Sequence, residues 1–360
     1  MTGVQTCALP ICKALPLALD ANDRNAINTD IRVQIQSNFE AAANRGDFAL
    51  EATERLRLAA EFSPSESNRV LGQKYAAHQA YIKAKDYQKA IDLLIELASS
   101  ESNVDIIYTR YNEAWKVASA DSLMNDQTVA AAIEQQFIDR YPASNQAFGL
   151  RLNRIVALEK DPTKYTEAAE AYLTLHNEAK AGRIDKGDVI PSDLFEEAIR
   201  LYNLSGNKIK EFELRNQFIA QYPNHPRVIP YLELMAKEYF DQQDMSKYEE
   251  LAKEIFKRDK SKSSYYQYVA NKKLESISTD FDTAYRNKDY PTAFKARDEF
   301  KRVEAAFIKE GLSFSTAQTY TFFAQVQEEY DSIQKRLAYF KSYDSQLAAL
   351  ERSDFLTKRP

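Results

Sequence analysis

Apolar residues recur along this chain at steps of three and four. Tyr87, Ala90, Ile91, Leu94 and Ala98 form one stripe, and Tyr75, His78, Tyr81 and Ile82 form another just before it. Such spacing gathers residues onto one face of an α-helix of period 3.6. Only the polar turn at Lys85-Asp86 separates the two stripes, and so short a connection makes the helices antiparallel neighbours. Alternating apolar and polar positions, the mark of a half-buried strand, are almost absent. The pattern predicts an all-α chain built from helix pairs.

The pair recurs. AYIKAKDYQKA at residues 80–90 matches AYRNKDYPTA at 284–293, with weaker copies RGDFALEA at 45–52, TKYTEAA at 163–169 and SKYEELA at 246–252. The bulky residue after each polar turn marks the second helix: Phe48, Tyr87, Val129, Tyr165, Ile209, Tyr248 and Tyr290. Their spacings are 39, 42, 36, 44, 39 and 42 residues. A small residue three positions on (Ala90, Ala132, Ala168, Ala293) predicts close helix approach. Between pairs lie a second set of turns, Phe62-Ser63-Pro64, FIDRYPAS from Phe137 and FIAQYPNHP from Phe218.

Helix starts are well marked. Ser63-Pro64-Ser65-Glu66 joins an N-cap serine, a proline at the first helical position and the glutamate of a capping box. Asp161-Pro162, Asp289 before Tyr290-Pro291, and Asp193 with Glu196 use related chemistry. One pair of about 40 residues buries too little apolar surface to fold alone, so neighbouring pairs must share a core. The expected organisation is an irregular leading segment or the remnant of an earlier helix at 13–36, helical repeats at 37–311, and one or two C-terminal capping helices at 312–360. The last begin after Gly311, include Tyr320, Phe322, Phe323, Val326 and Tyr330, and end in a polar-faced cap.

Composition narrows the classes further. Eight glycines in 360 residues fall well below the usual ~7%, which disfavours strand-rich folds and nucleotide loops. The net charge of −5 argues against nucleic acid as a partner, because phosphate neutralisation needs a basic face. No apolar run approaches the ~20 residues of a membrane helix, so no direct membrane insertion is expected.

The string MTGVQTCALPI at residues 1–11 resembles the conceptual translation of a sequencing adapter, so residues 1–12 are read as an adapter-derived artefact. Cys7 and Cys12 both fall in it, which leaves 13–360 without thiol or disulfide chemistry. The true start is then expected to be missing. KALPLALDA at 13–21 reads as a loop, or alternatively as the tail of an export signal.

The repeats resemble the tetratricopeptide repeat (TPR) family. With Ala90 at the family's late small-residue position, Tyr81, Tyr87 and Leu94 fall on its tyrosine, turn-aromatic and second-helix apolar positions. The early Trp-Leu-Gly signature is replaced by Lys74, Ala77 and His78, and the spacing exceeds the family's 34 residues. The resemblance implies a right-handed α-solenoid of antiparallel helix pairs, a TPR-like superhelix of about seven units. It also implies a non-catalytic scaffold binding a protein or peptide in a groove lined by Tyr75, Gln79, Lys83, Asn153, Glu197, Glu233 and Phe240. Tyr75 and Gln79 stand where some members begin a Lys/Asn carboxylate clamp, so that clamp is not matched. The FI-x-x-YP turns are similar to those of bacterial cell-envelope members, which favours a periplasmic or envelope location. Two other readings stay open: a helical accessory region of a larger enzyme whose catalytic domain lies upstream, and a self-assembling structural protein using exposed end helices.

Residues with chemical potential read as structural. Most of the 22 tyrosines and the single Trp115 are expected in the repeat core. His78, His176 and His225 show no metal-ligand spacing, and His225, in a proline-flanked turn, is expected in solvent. The segment 20–24 departs from a calcium loop at Arg24 and lacks its glycine. Glu196-Glu197, Glu249-Glu250 and Glu328-Glu329 diverge on helices. With no GxSxG, Walker or dinucleotide motif, neither enzyme activity nor a cofactor is expected.

Overall fold

A computed structural model of the chain describes residues 20–357; the adapter-like residues 1–12, with both cysteines, lie outside the described residues. The described residues contain fifteen α-helices and no strand. They are α1 (Ala21–Asn44), α2 (Phe48–Ala60), α3 (Ser67–Lys83), α4 (Tyr87–Ser99), α5 (Val104–Ser119), α6 (Gln127–Arg140), α7 (Asn145–Leu158) and α8 (Tyr165–Lys180). Then follow α9 (Pro191–Leu204), α10 (Lys208–Gln221), α11 (Val228–Asp241), α12 (Met245–Arg258), α13 (Ser263–Arg286), α14 (Tyr290–Glu310) and α15 (Ala317–Thr357). Helices pack on their neighbours in chain order. The chain divides into two compact units, residues 1–214 and 215–360, with the division inside α10.

Each sequence marker lies in the first turn of an even-numbered helix, so the helices fall as seven consecutive pairs and a final one. Five turns within pairs are built alike. Gly46, Lys85, Gly206, Gln243 and Lys288 adopt positive φ. The next residue donates its N–H five residues back: Asp47 to Ala42, Asp86 to Tyr81, Asn207 to Tyr202, Asp244 to Tyr239 and Asp289 to Ala284. The same Asp or Asn then turns its side chain forward to cap the following helix, on the N–H of Leu50, Lys89, Lys210, Lys247 and Thr292. One residue pair thus closes one helix and opens the next. Lysine or glutamine at positive φ carries a steric cost of about 1–2 kcal/mol that glycine avoids.

The structure corrects or decides four expectations. Residues 21–36 are not irregular: they belong to α1, which buries Ile31, Ile35, Phe39 and Ala42, and Asp20 caps it on the N–H of Asn22 and Asp23. Ala132 is exposed and Ala130 buried in its place, because the cap of α6 is Asp126 and sets the register two residues earlier. His225 is half-buried, edge-on to Phe218 at 5.1 Å. Of the one or two final helices expected there is one, the 41-residue α15, and its outer half exposes large apolar residues instead of a polar face.

The tyrosines join neighbouring helices. Tyr75 of α3 donates to Glu113 of α5 (3.3 Å), Tyr266 of α13 to Glu310 of α14 (2.8 Å), and Tyr285 and Tyr290 both to Glu329 of α15 (2.7 and 2.8 Å). Tyr202 bonds Glu170 and Tyr320 bonds Glu304. The ring fills the apolar seam while its hydroxyl satisfies a carboxylate at the margin. Burial first, then the Glu304 carboxylate, pushes the Tyr320 pKa up to about 12. Bonds from Tyr285 and Tyr290 hold Glu329 below the ordinary carboxylate range.

Candidate functional site

An enclosed apolar hollow lies in the first unit, between α5, α6 and α7. α5 places Tyr108, Tyr111, Asn112 and Trp115 on one face, α6 contributes Ile133, Glu134 and Phe137, and α7 closes the hollow with Leu150 and Asn153. Its volume is about 240 Å³. That is below the ~300–1,000 Å³ of pockets for drug-sized ligands and suits a single bulky side chain.

The wall is rigid. Phe137, fully buried, stands edge-on to Tyr108 and Tyr111 with centroids 5.2 and 5.4 Å away, and Tyr141 packs on it at 5.3 Å. Tyr111 is also buried, and burial pushes its pKa up, with the nearby Arg140 acting the other way. Trp115 is half-buried against the surrounding apolar cluster. At the rim, Arg154 pairs with Glu134 (3.3 Å) and donates to Gln135 (2.6 Å). Asn112 and Asn153 carry both donors and acceptors beside the aromatic floor. An apolar slot edged by amides accommodates an aromatic or long aliphatic side chain while hydrogen-bonding the backbone that bears it.

The residues predicted to line a groove are dispersed. Asn153 alone among them lines this hollow. Tyr75, Gln79 and Lys83 follow one another at one-turn steps on α3, but Tyr75 is engaged by Glu113 and by the Arg110 guanidinium 4.9 Å from its ring. Lys83 stands 5.5 Å from the centre of the Phe48 ring, and Gln79 is exposed. Glu197 pairs with Arg200 at 2.5 Å. In the second unit, Glu233 pairs with Lys262 at 2.8 Å, and Phe240, 42% exposed, packs at a tilt on Tyr248 and edge-on to Tyr268. Trp115, expected as plain core, is instead part of the wall. The sequence signal for the hollow is the aromatic face 108, 111 and 115 on α5.

The buried histidines belong to packing. His78 donates from Nδ1 to the Ala90 carbonyl at 3.0 Å, and burial lowers its pKa. His176, also lowered by burial, packs 4.8 Å from Phe195. Among the described residues no group of three or more His, Cys, Asp or Glu is placed to hold a metal ion, and no helix is long and apolar enough to cross a membrane. No family model matches the chain, and no curated protein matches it.

Proposed function

We propose that the chain is a non-catalytic scaffold of tetratricopeptide type, a right-handed α-solenoid that binds a protein or peptide segment and serves a cell-envelope assembly. The observation that carries this reading is the aromatic hollow beside Asn112 and Asn153 in an array of helix pairs. Its size and lining favour one anchoring side chain of a partner. The repeated turns and tyrosine seams support a stacked architecture, and the FI-x-x-YP turns support the envelope setting.

Trp115 is the single tryptophan, so its fluorescence reports on the hollow directly. Peptides selected from a random library on the immobilised chain should be enriched in aromatic or long aliphatic anchors. They should shift Trp115 emission saturably, and Asn153→Ala should weaken them roughly 10-fold, the equivalent of one hydrogen-bonding contact. Selected peptides that leave Trp115 emission unchanged, or a selection with no saturable binder, would refute the reading.

A further inference from the structure

We infer that the outer half of α15 pairs antiparallel with the same segment of a second copy of this chain. The helix carries a seam at alternating steps of three and four. Its first part, Phe323, Val326, Tyr330 and Ile333, packs into the apolar cluster of the second unit. The same rhythm continues through positions 337, 340, 344 and 347, where Leu337, Phe340 and Leu347 are 47%, 61% and 45% exposed. Tyr343 and Leu350, also exposed, widen the stripe. A mean step of 3.5 residues keeps such a seam facing another helix of the same spacing.

The identity of that helix follows from two observations. Six large apolar residues are exposed on α15, and at most two on any other described helix. Among the described residues only a second α15 offers a matching seam, and an isologous pair buries both at once. Charge fixes the direction. Arg336 and Lys341 flank the inner part of the stripe with no acid among residues 334–341, whereas residues 344–350 carry Asp344 and no base. A parallel pair would set Asp344 against its own copy inside the seam and basic turns beside basic turns. An antiparallel pair sets Leu337 opposite Leu347 and Asp344 opposite Phe340, next to Lys341 of the second copy, and leaves the two bodies at opposite ends. From Ile333 to Leu350 the seam runs roughly 25 Å at 1.5 Å per residue, a short contact that fits a reversible dimer.

Sedimentation velocity of the full chain between about 1 µM and 1 mM, with reductant present for Cys7 and Cys12, should show a monomer–dimer equilibrium. Leu337→Ala with Leu347→Ala keeps helix propensity and should raise the dimer Kd at least ~10-fold without changing the far-ultraviolet circular dichroism. Lys341→Glu should weaken the dimer, and adding Asp344→Lys to that chain should restore it. A strict monomer throughout, or a dimer indifferent to the leucine changes, overturns the proposal. A dimer that the leucine changes weaken and the charge changes do not overturns the antiparallel arrangement.

Discussion

The chain writes Phe-Ile-x-x-Tyr-Pro twice, at Phe137 and again 81 residues later at Phe218, and the two copies are furnished differently. Both phenylalanines are fully buried, and both pack on the tyrosine of their own turn. Beside Phe137 stands Leu150, and the space next to it is the aromatic hollow. At the same offset from Phe218 stands Tyr231, whose ring lies edge-on to that phenylalanine with centroids 5.3 Å apart. Asn153 has Leu234 as its counterpart. The turn itself is scaffold. Whether space remains beside it depends on the side chain the next helix presents.

The comparison breaks most sharply if the anchors are removed. Phe137→Ala and Phe218→Ala should each cost about 3–5 kcal/mol in urea unfolding; a near-neutral result at either would show that the two turns are not equivalent anchors. Next in size, Leu150→Tyr gives the first copy the ring of the second. It should cost at most about 1–3 kcal/mol, shield Trp115 from acrylamide quenching, and abolish any peptide response. Unchanged quenching would mean that the new ring does not occupy the hollow.

Acid separates the regions by a different route. Burial holds His78 and His176, both in the first unit, below the ordinary histidine range. The unfolded chain takes up protons below about pH 6.5 while these folded sites resist them. Their contribution is therefore intact above that pH and is lost as pH falls through the depressed folded values. The urea midpoint followed by Trp115 emission should drop from pH 7.5 to pH 5.5, and His78→Gln should lessen the drop. The smallest effect concerns a feature both regions share. Lys85→Gly and Lys288→Gly relieve positive φ in equivalent turns and should each stabilise by about 0.5–1 kcal/mol, read as a rise in melting temperature.

What sequence made legible was local. Helix pairs, caps and turn markers follow from neighbouring residues, and the seven markers lie in the first turns of α2 through α14. Errors arose where a signal was unrepeated or register depended on one residue. The stripe Ile27, Ile31, Ile35 and Phe39 of α1 has no copy to draw attention to it, and Asp126, not Val129, sets the start of α6. The hollow was only half legible, through the aromatic face of α5, for another reason. Three helices build it, and its existence turns on what Leu150 fails to fill. Trp115 alone cannot reveal that.

Packing in chain order has a kinetic consequence. Within each unit a helix finds its partners among the one or two helices that precede or follow it, so little loop-closure entropy stands between the unfolded chain and its first stable contacts. Assembly can begin at whichever hairpin forms first and spread outward. Amide exchange in each unit should then be slowest in its middle helices and fastest at the margins, a gradient instead of a single all-or-none opening.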